Sequence, residues 1–392
     1  MNRRLISIML VVALALAVLA GCATTTTTAA TTTGATTTGA ATTAATTTAA
    51  TTTAATSKIE NQGIPTDWKE VISVSKKFPG PEVSLVNWLA EHKGLKGKEE
   101  YKIAYVMYSM GNEFPVLMSE AAKKRAGQIG VKVEFFDAKM DVNVEKGIVE
   151  NAIANNFDAV IFNPVDSVGS ASIVKLCNDA GIPAVCVNAL LNDLNGLAAS
   201  CSSDHIQSGE LVAQYIIGEV LKGKGNIVIP EGPFAQSAVL DRSQGIYNIV
   251  RKYPDVNVIA HDTANWSRAE GLALMENWLN AYPNQIDAIV GENDEMALGC
   301  LQAVKTAAID KTIYAGGIDC IPDALTSLEN GELSCTVLQD AIAQSAIALD
   351  LAVLVLNGEA KAGETNVWVP YELVLKDQVA EYRMRTDLSV LD

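Results

Sequence analysis

Histidine is scarce in this chain, and the three present, His92, His205 and His261, are too scattered to form a metal-binding spacing. No CxxC pair occurs, and neither does a G-x-S-x-G turn or a Walker A loop. No nucleophile–His–acid set can be assembled, which argues against hydrolytic and nucleotide-driven chemistry. Basic residues are outnumbered, 29 Lys and Arg against 45 Asp and Glu, for a formal charge of −16. An acidic surface without a basic cluster repels nucleic acid. The stretch "DVNVEKG" (141–147) has its Gly at the seventh place, where a calcium loop needs it at the sixth. No metal and no cofactor are therefore expected, and the chain reads as a non-enzyme.

One segment lacks nearly everything. Residues 23–56 contain only Ala, Thr and Gly. Nothing there is large enough to bury, so the composition is that of a disordered tether. As a flexible coil it reaches roughly 30 Å. Before it stand Arg3 and Arg4, an apolar run from Leu5 to Ala20, and "LAGC" ending at Cys22. A basic start, an apolar stretch and small residues at a cleavage point make an export signal, residues 1–21. The "LAGC" resembles a bacterial lipobox. That resemblance implies diacylglycerol on the Cys22 thiol, a further acyl chain on its amine, and stable anchoring at the outer face of a membrane or in the periplasm. Six cysteines remain: Cys177, Cys186, Cys201, Cys300, Cys320 and Cys335. Their even number permits disulfides after export, but their apolar settings equally suit free buried thiols.

What is present is a repetition. A helix-like extension, 57–100 with its pattern at Glu82–His92, precedes apolar runs starting near 102, 131, 158 and 183, with helical patterns between them. A second set starts near 226, 256, 287 and 312. The spacings are 29, 27 and 25, then 30, 31 and 25. Strands alternating with helices imply βαβ units and parallel sheets. Two similar sets imply an α/β protein of two similar doubly wound lobes. In such sheets ligands sit beyond the carboxyl ends of the strands. At those ends stand Asn163 and Asn188 in the first set and Asn293 and Asp319 in the second, 25 and 26 residues apart. An Asn amide both donates and accepts, as a sugar hydroxyl does, although loop capping is the plain structural alternative. Asp294 and Glu295, directly after Asn293, read as helix-capping acids.

From Tyr101 to about Gln378 the chain resembles the type I periplasmic sugar-binding proteins, and is most similar to ribose-binding proteins. The motifs "GNEF", "FNPVDS", "GIPAVCVN", "LDRSQG", "NWSRAEG", "ENDEMALG", "GGIDCIPDAL" and "TVLQD" occur in that family's order. The resemblance implies two lobes joined by a three-crossing hinge, one formed by 101–203 with 341–368 and the other by 204–340 with 369–387. It implies a ligand site of Asn112, Phe114, Asn163, Asn188, Arg242, Trp266, Asn293, Asp319 and Gln339. Phe114 and Trp266 would cover the C–H faces of a ring, Arg242 would offer a fork of donors, and Gln339 would serve the hinge as well. Taken alone, the aromatics are equally consistent with core packing and Arg242 with a surface ion pair. Two departures stand out. Pro115 replaces a second aromatic, and Asn188-Ala189 replaces the Asp-Arg usual in ribose binders, which shifts the expectation towards another neutral sugar or a polyol. The implied role is a monomeric lipoprotein delivering its ligand to an ABC importer permease. A sensor presenting its ligand to a membrane receptor or histidine kinase is the alternative.

Overall fold

The computed structural model describes residues 80–363 and 365–392. The leader, Cys22, the tether and the extension before Gly80 lie outside the described residues. After α1 (Leu85–Glu91) come β1 (Lys102–Met107), α2 (Glu113–Ile129), β2 (Lys132–Asp137), α3 (Val142–Ala154), β3 (Ala159–Phe162), α4 (Ala171–Ala180), β4 (Ala184–Asn188) and β5 (Ala199–Ser202). The second series is α5 (His205–Ala213), β6 (Lys224–Glu231), α6 (Ser237–Val250), β7 (Asp255–Thr263), α7 (Arg268–Ala281), β8 (Ala288–Val290), α8 (Asp294–Ala307), β9 (Tyr314–Gly316), α9 (Pro322–Asn330) and β10 (Thr336–Leu338). Then follow α10 (Ala341–Leu356), β11 (Thr365–Trp368), β12 (Glu372–Val374) and α11 (Val379–Arg385).

The two series fold alike. The first sheet is parallel in the order β11-β5-β4-β3-β1-β2. The second is parallel in the order β7-β6-β8-β9. Bridges Gly316–Cys335 and Asp319–Leu338 continue it to β10, which pairs antiparallel with β12. Each lobe thus winds outward in both directions from its first strand. β3 and β4 are buried along their whole length. Helices covering both faces of a parallel sheet produce that burial, and it is why these strands read as unbroken apolar runs. The "DVNVEKG" stretch opens α3, with Asp141 Oδ1 accepting from the Asn143 and Val144 amides.

The chain passes between the sheets three times: after β5 into α5, after β10 into α10, and after β11 into β12. Helix α5 packs on α6, whereas α10 packs on α2 and on β3, β4 and β5. Past the third passage α11 rests on α9, and the last turn, Leu388–Leu391, rests on α2. There Lys124 Nζ meets the Leu388 carbonyl and the Asp392 carboxylate, each at 2.8 Å. The end of the extension is docked on the first sheet. Glu82 bridges Trp368 at the end of β11, and the Trp88 indole donates to Asp350 Oδ2 at 3.0 Å. All six cysteines of the described region are buried and free.

Candidate ligand-binding site

Between the carboxyl ends of the two sheets lies a small cavity of about 20 Å³. The lobes touch on its flanks: Ser167 N donates to the Ala235 carbonyl at 2.9 Å, Leu190 N to Ser237 Oγ at 2.9 Å and Gln236 Nε2 to the Pro164 carbonyl at 3.3 Å. Seven of the nine residues named from sequence line it: Phe114, Asn188, Arg242, Trp266, Asn293, Asp319 and Gln339. Six of them lie at or just after a strand end or open the next helix, and Arg242 lies in the second turn of α6, so two wound sheets facing each other bring residues 225 positions apart to one cavity. Two of the nine do not line it. Asn112 sits at the cleft mouth with Glu113, Arg268 and Glu295, its Nδ2 3.5 Å from the Trp266 carbonyl. Asn163 is fully buried beneath, its Oδ1 3.4 Å from Ala189 N. Asn112 Oδ1, Asn163 Nδ2 and Arg242 Nε are buried without partners.

Three wall residues were missed: Tyr108, Gln236 and Ala238. Tyr108 follows β1, and Gln236 and Ala238 follow β6, so the strand-end rule applied to those two strands points to them. Gln236 Oε1 accepts the Trp266 indole N–H at 2.8 Å and fixes the ring. Gly232 gives that ring its space, because a Cβ there would fall 2.2 Å from its carbons.

Three wall residues hold positive φ: Asn188 at 65°, Trp266 at 59° and Asp319 at 127°. Asn tolerates this region, whereas a bulky side chain there is a genuine outlier. Such conformations cost energy and persist where the surrounding structure enforces them, commonly at ligand sites.

Arg242 is buried and held on several sides. Nη1 donates to the Glu292 carbonyl at 2.5 Å and Nη2 to Gln339 Oε1 at 2.5 Å. Asp319 Oδ1 lies 3.5 Å from Nη2, and the guanidinium stands 5.3 Å from the Trp266 ring. Burial pushes the Asp319 carboxyl well above its usual range, against the pull of Arg242.

The polar run after β8 corrects the expectation that Asp294 and Glu295 cap their own helix. Asn293 caps α8, its Oδ1 accepting from Met296 N at 2.9 Å. Asp294 turns away to Thr336 Oγ1 at 2.8 Å and Ile321 N at 3.2 Å, tying α8 to the start of α9 and to β10. Glu295 pairs with Arg268 at 2.6 Å and accepts from Glu113 N of the opposite lobe at 3.4 Å. Glu292 takes Gly232 N at 2.8 Å and Ser243 Oγ at 2.6 Å, bracing the loop under Trp266. The acids carry a helical phase that aims successive side chains about 100° apart, so each finds a different partner.

A two-lobed α/β molecule with a polar, aromatic-walled cavity between its strand ends is a ligand-capture protein. Residues 103–360 match the family model described as a periplasmic binding protein domain. A putative rhizopine-binding protein of Rhizobium meliloti is 36% identical over 260 residues, 65% of this chain and 83% of its own. A xylitol-binding protein of Mycolicibacterium smegmatis is 34% identical over 66% of this chain and 73% of its own. An ABC transporter solute binding protein of Bacillus halodurans, solved with bound myo-inositol, is 35% identical with a TM-score of 0.69, covering 75% of this chain and 100% of that one. The chain belongs to the periplasmic binding protein family, as an extracytoplasmic type I sugar-binding member of the ribose-binding kind, and is not an enzyme.

Proposed function

We propose that this protein captures a small neutral polyol, cyclic or acyclic, or a related sugar, and delivers it to the permease of an ABC importer. The observation that carries the ligand class is the charge balance of the cavity wall. Its amides, Asn188, Asn293, Gln339 and Gln236, are neutral, and its one basic group, Arg242, faces its one acidic group, Asp319. A wall of amides around one opposed acid–base pair, with Phe114 from one lobe and Trp266 from the other, suits a ring or chain with apolar C–H faces and hydroxyl edges. Neutral Asn188 in place of an acid supports a polyol over ribose. Xylitol and myo-inositol, the ligands named for two similar proteins, are of this class.

Capture works by closure of two bodies, 101–203 with 341–368 and 204–340 with 369–387, about the three crossings. The ligand favours the closed form because only that form offers it contacts from both lobes. Asn112 and Asn163 complete the site from the mouth and the floor. Diacylated Cys22 and the tether hold the molecule at the membrane.

The test is a thermal-shift panel of D-ribose, D-glucose, xylitol and myo-inositol, followed by calorimetry at two ionic strengths. A ligand present at 100 times its Kd stabilises the native state by about 2.7 kcal/mol, so one panel member is expected to raise Tm by several degrees. Its Kd is expected to change little with salt. No response to any of the four, or a steep salt dependence, overturns the neutral-polyol reading.

A further inference from the structure

Behind the cavity, three side chains and one main-chain carbonyl, drawn from both lobes and from two of the three crossings, form one directed chain of hydrogen bonds. His205 opens α5 just after the first crossing and is 1% exposed. Its Nε2 lies 3.2 Å from the Asn188 carbonyl oxygen, and its Nδ1 lies 2.6 Å from Tyr371 Oη. A carbonyl only accepts, so Nε2 carries the proton. Burial, with Arg242 adding to it, lowers the imidazole to about 3, so the ring is neutral and Nδ1 is an acceptor. The Tyr371 hydroxyl must then donate to Nδ1, which leaves its oxygen as an acceptor facing Arg242 Nη2 at 3.4 Å. The donor sense is thus set throughout: Arg242 to Tyr371, Tyr371 to His205, and His205 to the main chain of Asn188.

Both ends of this chain are cavity wall. Asn188 belongs to the first lobe and Arg242 to the second. The Asn188 amide also donates to Gln344 Oε1 at 3.1 Å, and Gln344 Nε2 donates to Ser203 Oγ at 2.6 Å. Neither His205 nor Tyr371 lines the cavity.

We propose that His205 and Tyr371 are positioning residues for ligand capture: they orient the Arg242 guanidinium and lock it to the left-handed Asn188 turn across the pivot between the lobes. The proposal rests on the reading of Arg242 and Asn188 as ligand residues. It assigns a binding role to two residues that touch no ligand, and it explains why a buried imidazole is placed where it has no charge to offer.

The experiment combines a ligand-free and a ligand-dependent readout on the full chain. Nitrogen NMR of the His205 ring is expected to show a protonated Nε2, an unprotonated Nδ1 and no titration from pH 5 to 8. The Nδ1 signal is expected to move in Tyr371→Phe. A titrating or Nδ1-protonated ring overturns the chain. Calorimetry with D-ribose, xylitol and myo-inositol then compares wild type, Tyr371→Phe, Arg242→Lys and the double variant. For a probe that binds wild type, Tyr371→Phe is expected to raise Kd about 10-fold, but less than about 2-fold in the Arg242→Lys background, since coupled residues are non-additive. Equal losses in both backgrounds overturn the positioning role while leaving the polyol reading intact. A wild type that binds none of the three probes overturns the proposal through its premise. If Arg242→Lys does not fold, His205→Leu against His205→Gln replaces the cycle. There the expected result is a Kd loss of about 10-fold for Leu, largely recovered by Gln, which keeps a donor and an acceptor. Equal losses for the two overturn the proposal.

Discussion

Asn293 uses the two ends of one amide for different purposes. Its oxygen caps α8 through Met296 N, and its nitrogen is left for the cavity it lines. Alanine removes both functions and so does not separate them. Serine caps a helix about as well as asparagine but is too short to reach a ligand hydroxyl. Asn293→Ser is therefore expected to keep Tm within about 2 °C. It should cost roughly 1–3 kcal/mol of binding, the price of a buried hydroxyl left without its donor. Paired melting and titration check this, and a variant that melts early yet binds normally contradicts it. Gly232 bears on the cavity through Trp266, and Asp294 through the strand and helix it ties together.

The two similar runs of elements wind two similar sheets because each βαβ unit buries an apolar strand under flanking helices. Element α1 and the strand-like residues before it belong to neither run, yet they are built into the first lobe. Asp350 of α10 carries that attachment. Burial raises its carboxyl, but the fork of Arg125 holds it through Nε and Nη2, both at 2.8 Å, and Trp88 of α1 donates at 3.0 Å. Removing one partner of a buried ion pair leaves the other uncompensated. Asp350→Ala is expected to cost about 3–5 kcal/mol in urea unfolding. The candidate site lies elsewhere, so the Kd of the folded variant is expected to hold. Unchanged stability would show that the network adds nothing to the native state.

At the scale of the molecule, acids buried away from solvent set the response to pH. Glu145 and Asp294 are pushed up to about 7, Glu292 to about 8 and Asp340 to about 6, each chiefly by burial. Unfolded carboxyls titrate near 4 and imidazole near 6.5. Between those acid values and the native ones the folded chain holds protons that the unfolded chain has released. The stability this confers is whole below about pH 4 and is lost as pH rises through 6–8. His205 opposes this only below about pH 6.5, where its unfolded ring would protonate. Calorimetric Tm is thus expected to fall from pH 6.5 to 8.5, and a rise over that window would contradict these burials. The tether adds a prediction of its own. Cys22→Ser is expected to abolish incorporation of radiolabelled fatty acid and to release the protein from the membrane fraction. Equal labelling of variant and parent would refute lipid anchoring.

The succession of strands and helices, the two similar lobes and the sheet edge that carries the candidate site were legible in the sequence. Periodicity, strand ends and composition are local properties, and parallel α/β sheets place strand ends at the ligand edge wherever the strands fall. That rule named Asn188, Asn293 and Asp319 of the wall along with the buried Asn163, whereas the family resemblance supplied Phe114, Arg242, Trp266 and Gln339, and Tyr108, Gln236 and Ala238 were missed. Partners could not be read. Asp294 meets Thr336 across 42 residues, His205 meets Tyr371 across 166, and Trp88 meets Asp350 across 262. Whether an acid caps, braces or binds depends on which distant atom faces it once the chain is packed. The tertiary structure alone decided that Asn293 is the cap, that Asp294 is a tie, and that a neutral histidine lies behind the cavity.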